Sequence, residues 1–202
     1  MALSGRQPKR CGWCGEDPIY VDYHDSEWGV PMTQSRELFA LLQLEGMQAG
    51  LSWITVLKKR AHMRKRFFRF SPNQLAARGR DAYDSWLEDP GLIRNRAKLS
   101  ALIGNAEAFL AYEKRHGRGS FGAFIWSFVD GKPQQNRFKT LAEVPAETDA
   151  SRAMSKALKA AGFRFVGPTI CYAFMQSAGL VNDHITSCFR AKACRSFAAE
   201  IG

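Results

Sequence analysis

The chain has 202 residues, of which 46% are hydrophobic, and this size and composition suit one globular domain with a proper core. No apolar run approaches the roughly 18 residues of a membrane span, and the basic segment 1–10 lacks the apolar core of a secretion signal. Lysine and arginine exceed aspartate and glutamate by 29 to 19, a net charge of +10, which favours polyanionic partners without establishing them. The odd number of cysteines, five, favours a reduced, cytoplasmic location over a disulfide scaffold.

Hydrophobic periodicity predicts helices almost throughout and no alternating strand, and therefore an all-α fold. The predicted helices, in chain order, are one with Leu38, Phe39, Leu41 and Leu42 after a cap at Thr33 or Ser35; one begun by Ser71-Pro72; the longest, from Asn95 to His116; a short one through Phe121, Phe124, Ile125 and Phe128; one from Thr148 to Ala161; and one from Gly167-Pro168 to Gly179. We expect a single domain over residues 11–190, with tails at 1–10 and 191–202.

Four possible metal ligands are divided between the two ends of the chain: Cys11, His24, His184 and Cys188. On a helix, the four-residue step from His184 to Cys188 would place both side chains on one face. Two cysteines and two histidines form a closed tetrahedral shell that suits Zn²⁺ and leaves no open position for chemistry, so we expect a structural role. Cys11-Gly-Trp-Cys14 is also a C-x-x-C sequence, which offers a different ligand pair or a redox pair, although the βαβ pattern of thioredoxin-like proteins is absent.

The segment from Phe163 to Ala173 has the pattern of a hairpin followed by the second helix of a helix-hairpin-helix. A glycine turn lets backbone N–H groups approach a phosphate, and the N-terminus of the following helix favours its charge. Gly162 and Gly167 are the expected turn residues. An ordinary Gly-Pro helix junction has the same pattern, but the nearby Lys156, Lys159 and Arg164 favour phosphate binding.

Three stretches of the chain resemble the 3-methyladenine DNA glycosylase I family, in collinear order over roughly residues 11 to 190. They are Cys11-Gly-Trp13 with Asp17-Pro-Ile-Tyr20-Val-Asp-Tyr23-His24-Asp25-Ser-Glu27-Trp28-Gly29-Val-Pro31; Leu44-Glu45-Gly46-Met47-Gln48-Ala-Gly50-Leu51-Ser-Trp53; and Phe163-Arg-Phe-Val166-Gly167-Pro168-Thr169 with Gly179-Leu-Val-Asn182-Asp183-His184. The resemblance implies a helix-hairpin-helix glycosylase bundle whose N- and C-terminal segments are joined by one structural zinc. It selects Cys11 and His24 as ligands with His184 and Cys188, and leaves Cys14 aside.

The same resemblance implies a monomeric, monofunctional DNA glycosylase that everts 3-methyladenine from double-stranded DNA and hydrolyses its N-glycosidic bond in base excision repair. Glu45 precedes the end of an apolar helix, where the helix dipole disfavours a carboxylate, so its placement suggests a purpose. In the family the matching glutamate hydrogen-bonds the excised base. The other site residues that we predict are base-binding Trp13, Tyr20, Tyr23 and Trp53, and DNA-binding Gln48, Gly50, Leu51, Gly167 and Thr169.

Asp183 is an alternative general base, because many helix-hairpin-helix glycosylases carry a catalytic aspartate after the hairpin. The family that this chain resembles lacks that aspartate, and Asn182 stands where it would be expected. We therefore expect Asp183 to cap the last helix or to orient His184. A DNA-binding module without excision is the alternative function, and the presence of Glu45 and the aromatic residues argues against it.

Overall fold

The computed structural model describes residues 8–201, with side chains through residue 197, and within this range the protein is built mainly of α-helices. The helices are α1 (Pro18–Ser26), α2 (Ser35–Gln48), α3 (Trp53–Arg66), α4 (Pro72–Glu88), α5 (Arg96–His116), α6 (Ser120–Trp126), α7 (Asp149–Ala160), α8 (Pro168–Ser177) and α9 (Phe189–Ile201). The prediction of an all-α fold is confirmed. None of the helices in the described range is long and apolar enough to cross a membrane.

Three predicted helix starts are confirmed by side-chain caps. Ser71 accepts from the N–H of Gln74 at the start of α4, and Asn95 accepts from the N–H of Lys98 at the start of α5. Thr148 and Ser151 form a reciprocal capping box at the start of α7. Such caps satisfy backbone N–H groups that the first turn of a helix leaves without partners.

The predicted cap of α2 at Thr33 or Ser35 is wrong. The N-cap is Gln34, without a side-chain hydrogen bond, and Ser35 lies inside the first turn of the helix. Its hydroxyl instead donates to the carbonyl of Gly119 and accepts from the N–H of Gly122. Ser35, a residue type that commonly caps helices, therefore makes a tertiary contact between α2 and α6 instead, and the local sequence does not reveal this contact.

The main apolar core draws side chains from both halves of the chain, and within it α2 packs against α3, α5, α6 and α8. Leu38, Phe39 and Leu42 of α2 are buried, and the rings of Phe39 and Phe109 lie 5.1 Å apart. Trp86 is also fully enclosed. Because α2 is covered on several sides, a charged residue near its C-terminal end is held inside the protein.

Two strands that the sequence analysis did not predict lie beside the core. The strands β1 (Gln134–Gln135) and β2 (Val181–Asn182) pair in parallel. Each has two residues, too few to show the alternation by which strands are recognised. The pairing matters for function because β2 leads directly into Asp183 and His184.

The C-terminal segment differs from the predicted tail at 191–202. Helix α9 runs through it to Ile201, and Ala191 and Cys194 are buried. Near the other end, the N–H of Phe189 donates to the carbonyl of Lys9 at 3.0 Å, so part of the predicted tail 1–10 also packs on the fold. Residues 1–7 and 202 lie outside the described residues.

Candidate active site and metal centre

A cavity of about 360 Å³ lies between the N-terminal segment, the α2–α3 region and α8. Its lining includes five aromatic side chains and two carboxylates: Trp13, Tyr20, Tyr23, Trp28, Glu45, Gln48, Trp53, Leu141, Val144, Ala173, Gln176, Ser177 and Asp183. All four aromatic residues predicted to bind a base are in this set, together with Glu45. The structure thus brings together residues that are up to 40 positions apart in sequence, counting from Trp13 to Trp53.

Glu45 is buried at the inner wall of the cavity, with 2% of its surface exposed. Burial raises its pKa from 4.5 to about 7, while the hydrogen bond from Ser177 acts in the opposite direction. The Ser177 hydroxyl donates to Oε1 of Glu45 at 2.6 Å, and the Tyr23 hydroxyl donates to Ser177 at 3.0 Å. Burial, and then the nearby Glu45, raise the pKa of Tyr23 well above its ordinary value. The three groups form a chain of donors that ends on the carboxylate.

The aromatic side chains form a continuous wall. The Tyr23 and Trp53 rings lie 5.5 Å apart, and the Trp13 ring lies 5.2 Å from Tyr20 and 4.9 Å from Trp28. The buried indole N–H of Trp53 has no hydrogen-bond partner among the described residues. Flat apolar faces beside one carboxylate suit a planar cation, because aromatic faces attract cations through their quadrupole.

Asp183 also lines the cavity, but its oxygens are occupied by three donors. Asn136 donates to Oδ1 at 2.6 Å, and Tyr172 and Gln176 donate to Oδ2 at 2.5 and 2.8 Å. Burial, and then the contact with Asp183, raise the pKa of Tyr172 well above its ordinary value. Asp183 therefore joins α8 to the segment after β1.

The two roles that we expected for Asp183 are not the ones its contacts show. Helix α9 begins at Phe189, too far along the chain for Asp183 to cap it. Among the hydrogen bonds of His184, Nε2 is paired with the carbonyl of Trp28 at 3.1 Å. The orienting partner of His184 is thus a backbone carbonyl, which sequence patterns do not reveal.

Cys11, His24, His184 and Cys188 form a buried cluster whose ligand atoms all lie within 4.8 Å of one another. The Cys188 sulfur is 3.5 Å from Nε2 of His24 and 3.5 Å from Nδ1 of His184, and the Cys11 sulfur is 3.6 Å from Nδ1 of His184. Tetrahedral zinc with bonds of about 2.3 Å to sulfur and 2.05 Å to nitrogen requires sulfur–nitrogen separations of about 3.6 Å. The residues present therefore fit a tetrahedral metal ion.

The surroundings of the cluster prepare its atoms for a cation. Nδ1 of His24 is paired with Asp25 at 2.7 Å, and Arg10 in turn binds Asp25. These contacts leave Nε2 of His24 facing the two sulfurs, as second partners of metal-binding histidines commonly do. The hydrogen bond between the two thiols holds the pKa of Cys188 well below its ordinary value and raises that of Cys11, which favours the thiolate that a metal binds at Cys188.

One detail of the predicted metal site is corrected, and the exclusion of Cys14 agrees with the prediction. The segment from His184 to Cys188 is a turn rather than a helix, closed by the N–H of Cys188 donating to the carbonyl of Ile185 at 2.8 Å. The ligands converge all the same. Cys14 is not in the cluster, and its thiol donates to the carbonyl of Cys11 at 3.1 Å, so the alternative ligand set with Cys14 is not the one formed.

The predicted DNA-contacting loop adjoins the cavity through Gln48. Gly50 has a φ of +74° in the turn after α2, and Leu51 is 40% exposed although it is apolar. The side-chain amide of Gln48, which lines the cavity, donates to the carbonyl of Leu51 at 2.8 Å. The loop therefore presents an apolar side chain beside the pocket.

The junction between α7 and α8 contains the second predicted DNA contact. Gly162 has a φ of +93°, as a tight turn requires, but Gly167 has a φ of −62° and is the N-cap of α8. The left-handed residue near α8 is Phe165, with a φ of +56°. A Cβ at Gly167 would meet nothing within 4 Å, so this backbone is open to a ligand, and Thr169 lies exposed in the first turn.

The basic residues in the middle of α3, by contrast, are largely engaged within the protein. Lys58 pairs with Asp17 at 2.8 Å, and Lys59 donates to the carbonyl of Pro90 at 2.8 Å. Arg60 pairs with Glu27. This helix face is therefore a weaker candidate for phosphate contacts than its charge suggests.

The family described as Methyladenine glycosylase matches residues 13–191 of the chain. The chain belongs to the methyladenine glycosylase family. It is 53% identical over 180 residues to DNA-3-methyladenine glycosylase 1 of Escherichia coli K12, covering 89% of this chain and 95% of that protein. A crystal structure of a 3-methyladenine DNA glycosylase I, 54% identical, superposes with a TM-score of 0.87 over 90% of this chain and 98% of the other. The Staphylococcus aureus enzyme, solved to explain its 3-methyladenine recognition, is 36% identical with a TM-score of 0.84, over 89% and 95% of the two chains.

Several residues of this methyladenine glycosylase site were not predicted. Ser177, the partner of Glu45, is an ordinary serine at the end of α8 that carries no sequence signal of its own. Leu141 and Val144 reach the cavity from a short turn before α7. Their contribution depends on how that turn crosses the pocket, which only the tertiary structure defines.

Proposed function

We propose that this protein is a monofunctional DNA glycosylase that hydrolyses the N-glycosidic bond of 3-methyladenine in alkylated double-stranded DNA, as the first step of base excision repair. The names of the relatives support this substrate and this reaction. The observation that carries the proposal is a buried carboxylate, Glu45, at the inner wall of an aromatic cavity.

Methylation at N3 makes adenine a flat cation and a good leaving group, so excision needs little acid catalysis. The enzyme must hold the cationic base and stabilise positive charge on the sugar as the bond breaks. Glu45 offers a negative charge and a hydrogen-bond acceptor in a site from which most water is excluded, where electrostatic interactions are strong. Tyr23 and Trp53 add cation–π attraction of about 0.5 to 2 kcal/mol.

We propose that the base reaches this cavity by leaving the duplex. Leu51, exposed on the loop after α2, would fill the gap that the everted nucleotide leaves. Gly50 lets the loop turn sharply there, and Gln48 joins the loop to the pocket. Unstacking a damaged base costs a few kcal/mol, and an inserted apolar side chain offsets part of that cost.

We interpret α7, the following turn and α8 as a helix-hairpin-helix that holds the DNA backbone. The free N–H groups in the first turn of α8 favour an anion, and the open backbone at Gly167 lets a phosphate come close. Thr169 offers an exposed hydroxyl in the same turn. Contacts of this kind position the duplex without reading its sequence.

We propose that the buried cysteine–histidine cluster holds one structural Zn²⁺ per chain. Two thiolates and two imidazoles at the observed separations support zinc over ions that prefer oxygen ligands. When bound, the ion would cross-link the N-terminal segment to the turn before α9, and its closed shell would take no part in the reaction. We further propose a cytoplasmic monomer, because the five cysteines are free thiols and one chain supplies the whole site.

The decisive experiment is to incubate the purified protein with alkylated DNA and to measure released 3-methyladenine by chromatography and abasic sites by alkaline cleavage. We expect release by the wild type and strongly reduced release by Glu45→Gln. A protein that binds DNA but releases no base would instead support a non-catalytic DNA-binding module.

A further inference from the structure

Lys98 is a buried lysine whose only hydrogen-bond acceptors among the described residues are backbone carbonyls. It lies in the first turn of α5, with 6% of its surface exposed. Its ammonium group donates to the carbonyl of Met47 at 2.8 Å and to that of Ala49 at 2.6 Å. Burying an ammonium group is costly, so a lysine in this position requires an explanation.

Both carbonyls belong to the end of α2, the helix that carries Glu45. The last turn of α2 contains no basic residue of its own, and the last carbonyls of a helix carry partial negative charge without intrahelical partners. Lys98 supplies from another helix the positive charge that this end lacks. Its hydrogen bond to the carbonyl of Ala49 also holds the backbone one residue before the turn at Gly50.

The loop that follows is short, and two hydrogen bonds within it join Gln48 to Leu51. The N–H of Leu51 donates to the carbonyl of Gln48 at 2.7 Å, and the Gln48 side chain donates to the carbonyl of Leu51 at 2.8 Å. Lys98 is the group that ties this loop to the body of the bundle through α5. The position of Leu51 relative to the cavity therefore depends on a residue that lies outside both.

We propose that Lys98 is a positioning residue for lesion capture, whose ammonium group fixes the end of α2 so that Leu51 enters the duplex at the correct distance from the pocket. This inference rests on the proposed function. It adds a residue of α5, which touches neither the base nor the loop's exposed side chain, to the groups that determine damage recognition.

The test compares wild type with Lys98→Met, which nearly preserves side-chain volume and removes the charge and both hydrogen bonds. The readout is lesion preference, the ratio of affinities for a duplex with a tetrahydrofuran abasic site and for the undamaged duplex, measured below the melting temperature. We expect Lys98→Met to lower this ratio by about tenfold, which corresponds to about 1.4 kcal/mol. Lys114→Met, the same change at an exposed position of α5, should leave it unchanged.

A second comparison distinguishes positioning of Leu51 from a general effect of Lys98 on the fold. The effect of Lys98→Met is measured again in a protein that already carries Leu51→Ala. If Lys98 acts through Leu51, the loss of preference caused by Lys98→Met should nearly disappear in the Leu51→Ala background, because residues that act as one unit are not additive. An unchanged preference in Lys98→Met, or an equal loss in both backgrounds, would overturn the inference. Should Lys98→Met fail to fold, Lys98→Gln removes the charge but keeps a neutral N–H donor group, and it should show the same pattern with a smaller loss.

Release of 3-methyladenine by the wild type is measured in parallel. If the wild type releases no base, the proposed function is rejected. If it releases base and Lys98→Met retains full lesion preference, only the role of Lys98 is rejected. The two failures are therefore distinct.

Discussion

Replacing Glu45 with glutamine should stabilise the folded protein above pH 7 while it impairs excision. Burial raises the pKa of Glu45 from 4.5 to about 7, so the folded state binds this proton more tightly than the unfolded state does. The stability that protonated Glu45 contributes is fully present below pH 4.5, is lost as the pH rises through about 7, and stays absent above it. Glutamine does not titrate and avoids this loss.

The size of the effect follows from the two pKa values. At about 1.4 kcal/mol for each pH unit, the interval from 4.5 to about 7 amounts to roughly 3 kcal/mol of stability that the wild type gives up by pH 8. For a protein of this length, that corresponds to a melting temperature about 6 to 12 °C higher for Glu45→Gln at pH 8. At pH 4.5 the two proteins should melt at similar temperatures, because the glutamine can also accept the hydrogen bond from Ser177.

Excision should change in the opposite direction. A neutral amide cannot hold a cationic base by charge, so we expect the rate to fall by one to several orders of magnitude, each factor of ten being about 1.4 kcal/mol. In the wild type, kcat/KM should rise with pH up to about 7 as free Glu45 ionises and then level off. That rise should be missing from the Glu45→Gln profile.

The assay combines thermal melting at pH 4.5 and 8 with single-turnover excision, duplex binding and metal analysis of both proteins. Binding to undamaged duplex and metal content should be nearly unchanged, which separates chemistry from folding. A Glu45→Gln protein that melts lower than wild type at pH 8 would show that the ionised carboxylate supports the fold. Full excision by this variant would refute its role in holding the base.

Three further predictions concern the loop, the second carboxylate and the metal. Leu51→Ala should weaken binding to lesion-containing duplex more than binding to undamaged duplex; equal loss on both would contradict insertion of Leu51. Asp183→Asn should lower the free energy of unfolding by about 1 to 3 kcal/mol, because an amide N–H would face buried donors. Excision by the folded variant should stay close to that of the wild type. If Asp183→Asn abolished excision while Glu45→Gln remained active, the roles of the two carboxylates would be reversed. Metal analysis should find one zinc per chain, and Cys188→Ala should lose it with partial destabilisation, since structural zinc can be worth about 10 kcal/mol in small domains; an intact, equally stable protein without zinc would remove this claim.

Local structure could be predicted from the sequence where a single residue satisfies a requirement of its own helix end or turn. The helix starts at Asn95 and Thr148 and the turn at Gly162 were predicted, and in the structure each of these residues satisfies a local requirement of its own helix end. A residue's role could not be predicted where its hydrogen-bond partner lies far away along the chain. Ser35 looks like a cap and instead binds the start of α6, and the partner of Glu45 is a serine 132 residues away. No local pattern distinguishes such residues from ordinary polar ones.

The cysteine–histidine cluster was likewise predictable in part: its residues could be predicted, but the local structure that brings them together could not. Its four ligand types were evident from the sequence, but the helix expected to bring His184 and Cys188 together is a turn. Spacing of four residues permits convergence in either conformation, so the four side chains lie together as predicted although the local structure differs. The hydrogen bond from His184 to the carbonyl of Trp28 was beyond prediction, because every residue has a carbonyl and only the fold selects one.

The metal cluster also forms the layer behind the aromatic wall of the pocket. The Trp13 ring lies 5.2 Å from His24, and the Trp28 ring lies 4.5 Å from His184, while both tryptophans line the cavity on their other side. The proposed zinc would leave no open position for chemistry, but it would fix the rings of His24 and His184, which pack against the two tryptophans. Loss of the metal would therefore be expected to alter the shape of the cavity as well as the stability of the fold. Glu45 reaches the same cavity from α2, so under the proposed function the binding of the base would depend on both the tryptophans behind which the cluster lies and this buried helix.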